Sequence, residues 1–182
     1  MSPLIRREHQ LGVRQGTLEE IRFPEKTFDA VTMNHVIEHL PDPSGTLQEV
    51  KRILKDGGRL VLTTTHTQSW GHRCFQQDWI GLDFPRHLYM HTMKSLKRLV
   101  QQAGFEVVFL RTSARGAAYF LAMSHLLRQA RLRGGKGPHA CLLRRAWVCL
   151  PLPALYQVGE SLILWRNKLD GEEIVLSVKK EQ

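Results

Sequence analysis

The chain has 182 residues, 42% hydrophobic and 24% charged, the make-up of one ordinary soluble domain with a real core. Its three cysteines, Cys74, Cys141 and Cys149, are widely spaced and odd in number. They exclude a disulfide framework and a paired-CxxC zinc site, and a reducing, cytoplasmic setting is expected. The formal net charge of +9 is concentrated in one segment: residues 107–159 hold no Asp or Glu, yet carry Arg111, Arg115, Arg128, Arg131, Arg133, Lys136, Arg144 and Arg145. A localised basic face points to an anionic partner such as phosphate, lipid headgroup or nucleic acid, or is a merely solvated surface. The opening MSPLIRREHQ turns polar within a few residues, so no secretory leader is expected.

Residues 1–16 read as a short helix started by Ser2-Pro3 and ending near Gly12, followed by a brief strand around Val13. Residues 17–27 read as a polar loop broken by Pro24. Residues 28–33, FDAVTM, are a nearly continuous apolar run, suited to a strand buried on both faces of a parallel sheet. Asp42 is a good N-cap with Pro43 at the first helical position, and Leu47, Val50, Ile53 and Leu54 then recur on one helical face. Gly57-Gly58 is expected to stop that helix, and residues 59–64, RLVLTT, read as the next buried strand. The stretch 28–65 is therefore a βαβ unit with an imidazole-rich patch at the end of its first strand.

From residue 66 to 86 the pattern is irregular, with Trp70, Phe75, Trp79 and Phe84 among polar residues. A long loop at the carboxyl end of a strand is where α/β folds place substrate contacts, although such aromatics also serve to seal the end of a sheet. Thr92 caps a helix carrying Met93, Leu96, Leu99, Val100 and Ala103, closed by Gly104, and residues 105–110 form a strand. Residues 117–133 read as a helix, apolar early and basic late, before the link RGGKGPH. Residues 146–165 are apolar but contain Pro151 and Pro153 beside an arginine pair, which argues against a membrane span and for an interfacial segment or a substrate-covering lid. Residues 173–179, EIVLSVK, close the chain as a strand. The expected organisation is a core over 1–112, a basic, apolar helical insertion or lid over 113–170, and the last strand of the core in 171–182.

The segments FPEKTFDAVTMNHVIEHLPDP, RILKDGGRLVLTTT, DWIGLDFPRHLYMHTMKSLKRLVQQAGF and GEEIVLSVKK together resemble class I S-adenosylmethionine-dependent methyltransferases, in particular the bacterial group similar to the ubiquinone-biosynthesis O-methyltransferases. Asp56 stands where that family usually has Pro. The resemblance implies an α/β, Rossmann-like methyltransferase sheet with strand order 3-2-1-4-5-7-6. It implies that this chain supplies strands 3 to 7, with a helical insertion before the last, because the family's glycine-rich cofactor turn and ribose-binding acid have no counterpart. The chain then looks like the carboxyl-terminal part of the domain, its missing amino-terminal half an expected partner chain. Residues 30–33 would be an exposed sheet edge, and binding of S-adenosylmethionine by this chain alone would be poor.

By the same resemblance, Thr17 and Leu18 sit where the family contacts the adenine, and Asn34 and His35 face the transferring methyl. His35, Glu38 and His39 spell H-x-x-E-H, with Arg86-His87 further on. The related family pattern is E-x-x-E-H with a later His, which holds a divalent metal that draws the acceptor hydroxyl towards deprotonation. Glu38, His39 and His87 match it, whereas His35 replaces a carboxylate, a change that shifts preference from magnesium towards zinc, manganese or iron. Without a metal, His35 or His39 would serve as general base, or Glu38 and His39 would only brace the loop before Pro41. H-x-x-E-H is also the inverzincin protease string, but that needs a sustained helix, and Pro41 follows two residues later.

The expected activity is methyl transfer to oxygen of a small or lipid-like acceptor, which this chain alone, as a fragment, is expected not to carry out appreciably. The alternative is a non-enzymatic module docking on a partner chain or an anionic membrane surface. Nucleic-acid binding lacks any aromatic-interleaved or motif support.

Overall fold

A computed structural model describes residues 12–114, 117–132 and 170–181, together with Val158. The helix expected within residues 1–12 and the apolar stretch of 146–165 therefore fall outside the described residues, Gly12 and Val158 apart. In chain order the elements are α1 (Leu18–Ile21), β1 (Phe28–Asn34), a 3-10 turn (Ile37–His39), α2 (Pro43–Ile53), β2 (Leu54–Thr65) and α3 (Trp70–Phe75). Two further 3-10 turns (Gln76–Asp78, Ile80–Leu82), α4 (Met93–Gln102), β3 (Phe105–Ser113), α5 (Ala117–Leu132) and β4 (Glu173–Lys180) complete the set.

The sheet is ordered β1-β2-β4-β3. β1 and β2 are parallel and joined by α2, whereas β4 runs antiparallel between β2 and β3. α2 starts as its sequence dictates: the Asp42 carboxylate accepts from Gly45 N at 2.9 Å, with Pro43 at the first helical position. Its Leu47 and Val50 are fully buried against Leu60 and Leu62 of β2, Ile174, Leu176 and Val178 of β4, and Leu96 and Val100 of α4. Each such aliphatic side chain contributes roughly 1.5–3 kcal/mol by leaving water. α4 carries the Thr92 cap, and Gly104, at φ +79°, lets the chain turn into β3.

Four expectations need correction. Residues 12–16 form no strand, because nothing among the described residues offers them a ladder, so the described sheet has four strands rather than five. Within 17–27, Thr17 and Glu20 build a reciprocal capping box that starts a one-turn helix where a plain loop was expected. α2 stops at Ile53, before the glycines, because Leu54 is already extended and paired with Phe28. β1 itself is not buried on both faces: among the described residues it pairs on one side only, and of its residues only Met33 is buried.

β4 is pinned to the loop beyond β2 by a buried carboxylate just before it. Glu172, fully buried, accepts hydrogen bonds from Gly71 N at 2.7 Å, Trp79 Nε1 at 2.7 Å and Ser69 Oγ at 3.2 Å. Burial pushes its carboxyl above the ordinary value. Trp79 and Phe75 pack with Ala117 and Leu121 of α5 in a second apolar cluster, so these two aromatics seal the sheet's end, while Phe84 is exposed. The irregular stretch is thereby fixed over the carboxyl ends of β1 and β2. No helix among the described residues is long and apolar enough to cross a membrane.

Candidate active site at the carboxyl ends of β1 and β2

β1 ends abruptly. The His35 amide makes the last rung, donating to Thr63 O at 2.9 Å, and His35 then takes φ +50° and turns the chain into the 3-10 turn. Ile37 and Glu38 of that turn are completely buried. The Glu38 carbonyl accepts from Leu88 N (2.9 Å) and Tyr89 N (3.2 Å), which lays the loop around residues 83–91 over the turn. His39 and His87, 48 positions apart in the chain, are brought side by side in this way, with ring centroids 4.7 Å apart and ring planes 55° to one another.

The imidazoles have different environments. His35 Nδ1 lies 3.0 Å from Glu38 Oε1 and its Nε2 lies 3.2 Å from Glu173 Oε1. Hydrogen bonds to Glu173 first and Glu38 second, against the opposing effect of burial, push the His35 pKa up to about 9. At neutral pH both ring nitrogens are therefore donors, and a ring in that state cannot accept a proton. Held between two carboxylates, His35 is less suited than His39 to act as general base. For Glu38, burial alone would raise the carboxyl, but the hydrogen bond from His35 and the backbone outweigh it and hold the group below its ordinary value. Its Oε2 is buried with no hydrogen-bond partner; the Thr64 hydroxyl favours the ionised form without completing a bond of good geometry.

His39 donates from Nδ1 to Arg86 O at 2.9 Å, and His87 donates from Nδ1 to Gly81 O, also at 2.9 Å. A carbonyl oxygen only accepts, so each ring carries its proton on Nδ1 and keeps Nε2 as the basic nitrogen. Glu38, His39 and His87 each offer an atom within 4.8 Å of those of the other two, so the structure assembles the three residues read from sequence as metal ligands. His35, His39 and His87 also line a cavity of about 370 Å³ with Ile80, Asp83, Arg86, Tyr119 and Phe120 among its other walls.

The remaining sequence-read residues lie apart from this cavity. The Thr17 hydroxyl is engaged in the α1 cap, Leu18 packs against the main core, and Asn34 is exposed at the last position of β1. Conversely, Glu173, Asp83, Tyr119 and Phe120 were not singled out by pattern. For Glu173 the only sequence signal is an acidic pair placed just before an apolar strand.

An α/β sheet with a cavity at the carboxyl ends of adjacent parallel strands is a Rossmann-like arrangement, with the cavity where such folds bind ligands. Residues 4–110 match the family described as methyltransferase domain, and the chain belongs to that family. It is 29% identical over 134 residues to a demethylmenaquinone methyltransferase of Lysinibacillus sphaericus, covering 60% of this chain and 55% of that protein. It is 38% identical over 58 residues to a ubiquinone biosynthesis O-methyltransferase of Alkalilimnicola ehrlichii, covering 31% of this chain and 24% of that protein. The chain thus spans little more than half the length of the first of these relatives. Among solved structures, a SAM-dependent methyltransferase of Thermotoga maritima superposes with TM-score 0.58 at 20% identity, covering 98% of this chain and 68% of that one. The [4+2]-cyclase SpnF superposes with TM-score 0.57 at 19% identity, covering 97% and 60%. These likenesses establish the Rossmann-like fold, and the second shows that the fold alone does not select the reaction.

Proposed function

We propose that the chain forms the acceptor side of an S-adenosylmethionine-dependent methyltransferase acting on oxygen of a small or lipid-like acceptor. Family membership supports the donor and the reaction. The observation that carries the site is the pair His39 and His87 lining one cavity, each with Nδ1 held by a carbonyl, with His87 Nε2 4.0 Å from Asp83 Oδ2 and the buried Glu38 close to both rings. Ile80, Tyr119 and Phe120 on the cavity wall support an apolar acceptor. The order β1-β2-β4-β3 with an antiparallel β4 supports assigning these strands as the fourth, fifth, seventh and sixth of the family's sheet. By resemblance alone, Thr17 and Leu18 would border the adenine and Asn34 the methyl group. Donor binding by the described residues is weak on this reading, because β1 is their sheet edge and its Ala30 and Thr32 are exposed.

Transfer from a sulfonium is an in-line displacement. An acceptor oxygen lone pair forms the new O–CH₃ bond while the S–CH₃ pair leaves to sulfur, giving S-adenosylhomocysteine. The acceptor proton passes to His39 Nε2, and the Arg86 carbonyl holds the ring in the tautomer that can take it.

A second reading is favoured by the unpartnered Glu38 Oε2 and by the two imidazoles whose Nδ1–H groups are braced by carbonyls, the usual outer support of metal-binding histidines. Glu38, His39 and His87 would then hold a divalent cation, which would supply Lewis-acid activation of the acceptor hydroxyl. The basic docking surface proposed as an alternative lies mostly outside the described residues and gains no support from them.

The test is transfer of a labelled methyl group from millimolar S-adenosylmethionine to a long-chain phenol and to a plain catechol. Slow transfer is expected, favouring the long-chain phenol, lowered at least tenfold by His39→Gln and unchanged by Lys97→Ala on α4. Equal rates in wild type and His39→Gln would contradict the proposal.

A further inference from the structure

β3 is the second edge of the described sheet, and Val108 and Phe109 in its middle are both exposed. Its pairing with β4 shows why. Val107 lies opposite Val178 and Phe109 opposite Ser177, so Val108 is the extra residue of a β-bulge. Side chains alternate across a strand, and the extra residue shifts that alternation by one. Val107 and Leu110 therefore share the face of Val178 and Leu176 and pack against the main core. Glu106, Phe109 and Arg111, opposite Lys179, Ser177 and Val175, share the other face, and all three are exposed. The Arg111 guanidinium lies over the Phe109 ring, 5.4 Å from its centroid, and no described residue forms an ion pair with Glu106 or Arg111.

This edge is complementary to itself. An antiparallel second copy with Phe109 facing Phe109 sets Leu110 opposite Val107 and Arg111 opposite Glu106, on both sides of a two-fold axis. Opposite residues in such a ladder must point to one face, and the bulge puts Glu106, Phe109 and Arg111 on one face. The regular stretch from Phe109 to Arg111 of each copy meets the bulged stretch of the other, as the regular β4 already does within the chain. A central aromatic pair is then flanked by two Glu–Arg pairs. The opposite edge lacks this complementarity: Asp29 is the only charge of β1 and is already paired with Lys55. We infer that β3 is a dimerisation edge, through which two copies of this chain pair antiparallel about Phe109, with Arg111 of each against Glu106 of the other.

The test is sedimentation velocity of the 182-residue chain over a range of concentrations, together with oxidative cross-linking of a Phe109→Cys variant. A reversible dimer is expected, weakened by added salt because its ion pairs lie at the surface. Arg111→Glu sets like charges opposite one another on both sides of the axis and should weaken dimerisation roughly 10–100-fold. Phe109→Cys places a thiol on the axis, and oxidation should join the two introduced thiols, identified by peptide mass spectrometry apart from Cys74, Cys141 and Cys149. Where circular dichroism shows that Arg111→Glu has lost its fold, the cross-link decides. A wild-type chain that stays monomeric at every concentration overturns the proposal. So does a dimer that a folded Arg111→Glu chain leaves intact, a dimer that Thr32→Lys on β1 abolishes, or a failure of the thiols at position 109 to join.

Discussion

At the scale of single residues, H-x-x-E-H hides a division of labour. The spacing exposes three polar residues at a strand end, but it does not show that His35 lies between two carboxylates while His39 lies beside His87 in the cavity they share. The partner that decides this, Glu173, is 138 positions away in sequence. No local pattern links them; β4 does, by bringing Glu173 opposite Thr65. His87 was legible only through resemblance, as the later histidine of a known arrangement.

The His35 environment also makes stability depend on pH. Its pKa rises from 6.5 to about 9 on folding, so its contribution is fully present below pH 6.5 and is lost as pH rises through 9. Wild type should therefore exceed His35→Asn in urea-unfolding stability by about 2 kcal/mol near neutral pH, the worth of a charged hydrogen-bonded pair. The difference should shrink towards pH 10. A gap that stays constant across that range would show that the ring is not held as a cation.

At the scale of elements, the caps and periodicities of α2 and α4 were readable because Asp42-Pro43 and Thr92 act locally. The end of α2 was not, since pairing of Leu54 with Phe28 overrides the glycine stop signal. The irregular stretch after β2 was legible only as irregular; its order comes from one buried carboxylate. Glu172→Ala removes the acceptor for the Trp79 indole and the Gly71 amide, leaving buried donors unpaired. A loss of about 3 kcal/mol in urea unfolding is expected, with a drop in near-ultraviolet ellipticity from Trp79. A methyl group at Gly71 would collide with the Glu172 carboxylate and Leu121. Gly71→Ala should cost about 1–3 kcal/mol by overpacking, checked by the same unfolding midpoint.

At the scale of the molecule, the apolar run of residues 28–33 suggested a buried strand, and its local pattern could not tell centre from edge. Strand order, which is a property of the whole sheet, puts it at the edge of the described sheet with Ala30 and Thr32 exposed. An exposed ladder of this kind promotes chain-to-chain pairing, and a lysine on such an edge opposes it. Thr32→Lys should reduce concentration-dependent light scattering while leaving far-ultraviolet dichroism unchanged; undiminished scattering would exclude this edge as the cause.

The central claim is that the carboxyl ends of β1 and β2 form the reactive centre of a methyltransferase, with the methyl donor held weakly by these residues. Its most direct test is an S-adenosylmethionine titration of the ¹⁵N-labelled 182-residue chain followed by NMR. The account predicts fast-exchange shifts that saturate only at millimolar donor, concentrated at Asn34, His35 and His39, with Thr17 and Leu18 following. Tight, stoichiometric binding, or shifts confined to residues remote from this strand end, would contradict it.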